Sequence, residues 1–180
     1  ECPELVRELM EFLTRSHLEH HRRREREGRI NCHREGEYAR VGFRVHCWRP
    51  SPGTAAGATP CLADEWAYVS AQTSSGLGPR QYEEFVQPSN EALAVPFARQ
   101  TVYYHGCECL DAKIDAIARI PNLRRFHVSP WSSVEVARRL ITRMLASFHQ
   151  RAPRAVWASP HSAARIPGTL LAAMLDPVPV

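Results

Sequence analysis

Thr101-Val102-Tyr103-Tyr104-His105-Gly106-Cys107-Glu108-Cys109-Leu110 passes from a β-branched and aromatic run into a cluster of metal-capable side chains. A helical pattern begins directly after it. In an extended segment, side chains at i and i+2 share a face, so His105 and Cys107 are expected to project together from the end of a strand. An imidazole and a thiolate so placed can clamp one borderline-soft ion, for which zinc is the usual choice. Cys109 joins them as a third ligand if the chain stays extended beyond Glu108. The bland alternative is a buried core pair, since free cysteines often serve as small hydrophobes. Position favours a site, because strand ends that precede helices are where α/β barrels and open α/β sheets carry their active sites.

The chain on either side alternates in the same way. From Pro3 to about Glu27 the apolar residues Leu5, Val6, Leu9, Met10, Leu13 and Leu18 follow a helical period, and Gly28 supplies the stop. Residues 29–33 read as a short strand ending in Cys32 and His33. Residues 34–63, broken by Pro50, Pro52, Gly53, Gly57 and Pro60, read as a long loop that is either a lid or an insertion. Residues 64–73 read as a strand or short helix ending in Gln72 and Thr73. A helix is expected from Pro79 toward Phe97, interrupted at Pro88 and Pro96. After the strand ending at His105, a short amphipathic helix covers 111–120, with Ile114, Ile117 and Ile120 on one side. A strand follows over 123–128, ending at Ser129 and Trp131. Ser133 then caps a helix that carries Val136 inward, and 155–160 form a last strand. The tail, 163–180, is left unplaced. Strands alternating with helices imply parallel pairing, and parallel strands gather their polar ends on one edge. Gln72, Glu108, Ser129 and Trp131 are the expected pocket residues there.

Composition sets the outer bounds. The 180 residues, 44% hydrophobic and 23% charged, suit one domain with a sizeable core. No apolar run approaches a membrane span, and no export signal opens the chain, so a cytoplasmic protein without a membrane partner is expected. The six cysteines then read as reduced thiols. The run His20-His21-Arg22-Arg23-Arg24-Glu25-Arg26-Glu27 is interleaved with glutamates and fits a solvated helix face, not a nucleic-acid patch. The chain does not begin with Met and reads as an excerpt of a longer product.

One ordered set of pieces carries a resemblance. Trp66, Gln72-Thr73, Gly78-Pro79, Phe85-Val86 and Pro88 come first. Tyr104-His105-Gly106-Cys107-Glu108, Leu110-Asp111-Ala112-Lys113-Ile114-Asp115, Ile120-Pro121-Asn122-Leu123-Arg124-Arg125 and Val128-Ser129-Pro130-Trp131 follow. Together they resemble the uroporphyrinogen decarboxylase (URO-D) superfamily, and within it a decarboxylase-like branch related to corrinoid-dependent methyltransferases. The resemblance implies a (β/α)8 TIM barrel, of which residues 1–180 would form the carboxyl-terminal half to two-thirds. It implies a zinc-dependent methyltransferase in which a His-x-Cys pair, here His105 and Cys107, and a later Cys hold zinc. The partners would be a thiol substrate and a methyl-corrinoid protein. No cysteine follows Cys109, so either Cys109, Glu108 or Cys32 stands in, or the site has lost its metal, or the carboxyl end differs from the family's. The alternatives are the decarboxylase itself, a cofactor-free lyase of porphyrin biosynthesis acting on a tetrapyrrole, and an inactive partial-barrel fragment.

Overall fold

The structure, a computed structural model, describes residues 2–30, 59–98, 102–133, 135–136 and 138–139, and the strand at 155–158. The expected Cys32, His33 and most of the 34–63 loop lie outside the described residues, as does the tail 163–180.

Helix α1 spans Pro3–Arg26, with proline in its first turn, where a missing N–H costs nothing. Its end is chemically specified. Gly28 takes φ +67°, its N–H donates to Glu25 O at 3.0 Å, and Arg29 N–H donates to Arg24 O at 2.8 Å. These two bonds satisfy carbonyls that the helix end would otherwise orphan.

A short turn, Leu62–Asp64, then leads into β1, Ala67–Ser70. Asp64 secures the turn by accepting from the Cys61 N–H at 3.0 Å. A helix follows in three parts: α2 (Pro79–Gln81), a wide π turn (Tyr82–Val86) and α3 (Gln87–Ala94). The interruption anticipated at Pro88 takes this form. Proline lacks the N–H for its i−4 partner and its ring crowds that carbonyl, and a π turn opens the ladder just before it.

β2 covers Val102–His105, α4 is the single turn Ile114–Ile117, β3 covers Leu123–Val128 and β4 covers Ala155–Ala158. The expected helix over 111–120 is thus shorter, flanked by turns, yet Ile114, Ile117 and Ile120 are buried as its period required. Asn122 makes the next turn at φ +59°, a conformation asparagine tolerates, and its amide donates to Ala94 O at 3.0 Å.

The four strands pair in parallel in the order β1-β2-β3-β4. The architecture is a mixed α/β fold: a small parallel sheet with helices in its connections. Val102, Tyr104, Phe126 and Val128 from the sheet meet Leu110, Ile114, Ile117, Tyr82 and Val86 in one buried cluster. Tyr104 and Phe126 stack at 5.7 Å between centroids. Truncating either aromatic ring would cost about 3–5 kcal/mol. No helix among the described residues is long and apolar enough to cross a membrane.

Candidate metal centre

Strand register assembles the centre. Ser70 pairs with His105 across β1 and β2, and Tyr104 pairs with Phe126 across β2 and β3. His105 and His127, each one residue further on, therefore stand side by side at the carboxyl edge of the sheet. Their rings stack at 4.8 Å, 16° from parallel. Immediately after β2 the chain leaves the sheet through Gly106 and returns Cys107 over His105, with Sγ 2.9 Å from Nε2. The exit is tight: a Cβ on Gly106 would sit 2.6 Å from Leu110 Cδ1.

His105, Cys107 and His127 thus offer three donor atoms within 4.8 Å of one another. Donors around one tetrahedral zinc stand about 3.5 Å apart, a closure of about 1 Å that side-chain rotation can supply. Such a set can hold a metal ion. Tyr103 Oη lies 2.9 Å from His105 Nδ1, so Nε2 is the ring nitrogen turned toward the cluster. An outer partner of this kind is what orients a ligating histidine. Tyr68 stacks on the outer side of His105 at 5.6 Å.

Electrostatics favour the uncharged forms of His105 and Cys107. Burial holds the His105 imidazole below its ordinary range, with the Glu108 charge pulling weakly the other way. Burial first, and then Glu108, push the Cys107 thiol up. Both carboxylate oxygens of Glu108 are themselves buried and accept no hydrogen bond among the described residues. A bound cation would answer all three features: it takes thiolate and neutral imidazole as ligands and offsets a nearby buried negative charge.

The loop that carries Cys107 is pinned from behind. Ser129 Oγ donates to Glu108 O and lies 3.0 Å from Ser132 Oγ, while Leu110 N–H donates to Ser132 Oγ at 3.0 Å. Ser133 N–H donates to Asp111 Oδ1, and Ser133 caps Val136 as expected. Lys113, the chain's lone lysine, is buried and reaches Ser74 O and Ser75 O at 3.4 Å, fastening the turn after β1 to the same edge.

The expected site residues are distributed unevenly. His105 and Cys107 come together. Cys109 is exposed and is not among the clustered donors, because the chain bends at Glu108 and the two-residue alternation ends there. Ser129 is fully buried and holds the ligand loop from behind. Gln72 is exposed in a 3₁₀ turn after β1, and Trp131 is 64% exposed. His127 went unread in the sequence. Its signal was a second histidine near the end of the expected strand over 123–128, but only the parallel register puts it beside His105.

No family model, curated protein or solved structure matches this chain.

Proposed function

We propose that His105, Cys107 and His127 hold a zinc ion at the carboxyl edge of a barrel-type sheet, and that the centre serves to activate a thiol for methyl transfer. The observation that carries this reading is the convergence of three donors from two adjacent strand ends. The likeness of Tyr104-His105-Gly106-Cys107 and its surroundings to the methyltransferase-related branch of the uroporphyrinogen decarboxylase superfamily supports the thiol and the methyl-corrinoid partner. His127 takes the place of that branch's late cysteine. Zinc with three protein ligands keeps a fourth position open, and there it would lower the pKa of a bound thiol enough to supply a nucleophile at neutral pH. Tyr103 would hold the His105 tautomer, and Tyr68 would shield the cluster from solvent.

The His105–Cys107 contact also suggests a cysteine nucleophile activated by a base. The direction of both pKa shifts opposes this, since each favours the neutral thiol and imidazole over the reactive ion pair. A cofactor-free decarboxylase would not call for the cluster at all.

Elemental analysis of the purified chain after zinc loading and desalting tests the reading. About one zinc per chain is expected, falling sharply in His105→Ala/Cys107→Ala and in His127→Ala, and unchanged in Cys109→Ala. Retained affinity in His127→Ala would overturn the ligand set. A folded wild type that binds no metal would overturn the centre itself. Binding should strengthen with rising pH, because the proton on the raised Cys107 thiol competes with the ion.

A further inference from the structure

The apolar ridge of α1 faces away from the rest of the described protein. Met10, Thr14, Leu18 and His21 form the half-buried stripe on the body side. Thr14 bonds Ser89 on α3 at 2.8 Å, and His21 sets its ring edge-on to Phe97. Leu9 and Leu18 are about two and a half turns apart, hence on opposite sides of the helix. Around Leu9, Leu5, Val6, Phe12 and Leu13 form a contiguous patch, exposed by 42–64%. This is too much clustered apolar surface to count as scattered exposure.

We propose that this ridge docks a second copy of the chain, α1 against α1, antiparallel about a two-fold axis. Charge chooses the partner and the direction. Glu4, Glu8 and Glu11 outnumber Arg7 in the first half of α1, and Arg15, Arg22, Arg23, Arg24 and Arg26 outnumber Glu19 and Glu25 in the second. A parallel pair would set the two basic runs side by side, whereas an antiparallel pair separates them. Laying Leu9 against Phe12 of the second copy also brings Glu8 alongside that copy's Arg15, and the two-fold repeats both contacts. Within one copy, neither Glu8 nor Arg15 has an ion-pair or hydrogen-bond partner among the described residues. The face is thus complementary to itself in polarity and charge. A ridge of five apolar side chains is smaller than the roughly 800 Å² per partner of a standard interface, which places the dimer among the small, transient ones.

Sedimentation equilibrium on the full chain, up to hundreds of micromolar, reads this directly. The expected mass rises from 20.4 kDa toward twice that value. Leu9→Glu/Phe12→Glu should remain monomeric with an unchanged helical circular dichroism signal. Glu8→Arg alone and Arg15→Glu alone should each weaken association by about tenfold. The double reversal Glu8→Arg/Arg15→Glu should restore it, which indiscriminate apolar sticking would not do. A wild type that stays monomeric throughout, a dimer indifferent to Leu9→Glu/Phe12→Glu, an open-ended series of larger species, or a double reversal no better than the single variants would each overturn the proposal.

Discussion

Val102, Tyr104 and Phe126 on the sheet are no more than 0% exposed, whereas Leu5, Leu9 and Phe12 on α1, just as apolar, are exposed by 64, 54 and 55%. The sheet is held by burial of its apolar face, Val69, Val102, Tyr104, Phe126 and Val128, in the common cluster with the helices. α1 is held by polar ties beside a half-buried stripe that includes Met10, Leu18 and His21. Arg24 forks onto Glu65 through both guanidinium nitrogens, Glu25 accepts the Leu62 N–H at 2.8 Å, and Thr14 meets Ser89. The two regions therefore answer to different perturbations. A hydrophobic period guarantees that a helix has an apolar side, but the polar anchors here decided which side meets the body.

The sharpest contrast is between two truncations. Phe126→Ala should lose about 4 kcal/mol in urea denaturation, while Leu9→Ala, measured at concentrations too low for association, should change stability by less than about 0.5 kcal/mol. Equal losses would erase the distinction between the regions. Next comes the anchor. Arg24 and Glu65 side chains are 17% and 8% exposed, so Arg24→Ala strands a buried carboxylate and should cost about 3 kcal/mol. Arg24→Leu/Glu65→Leu should recover most of that loss; if it does not, geometry and not charge pairing holds the helix.

The smallest effect is a pH dependence. Burial and the neighbouring Arg24 charge hold His21 below the ordinary imidazole value of 6.5, with His20 and His17 acting in the same sense and Glu65 against them. Below that value the unfolded chain takes up the proton more readily than the folded one, so stability falls as pH drops from about 6.5. His21→Leu should flatten part of that fall in thermal melts, and His105→Leu, at a group shifted in the same direction, should flatten a further part. A slope untouched by both substitutions would place the acid sensitivity elsewhere.

Local chemistry was legible where it acts over a few residues. The start of α1 at Pro3 and its stop at Gly28, the turn at Asn122, the Ser133 cap, the break at Pro88 and the pairing of His105 with Cys107 all follow from backbone preferences or short spacings. The shortening of the 111–120 helix to one turn and the bend at Glu108 did not. Tertiary ties at Leu110, Asp111 and Lys113 compete there with the helical and extended patterns.

The amino-acid sequence by itself determined that strands and helices alternate, that two metal-capable side chains, His105 and Cys107, sit two residues apart at the end of a strand, and that α1 is amphipathic. These are properties of period and residue type, written along the chain. Only the tertiary structure decided that His127 completes the cluster, that Cys109 stands outside it, and that the apolar ridge of α1 turns away from the body. Each of these depends on which residue of one element lies beside which residue of another. Strand register and helix docking set that choice, and no spacing along a single element encodes it.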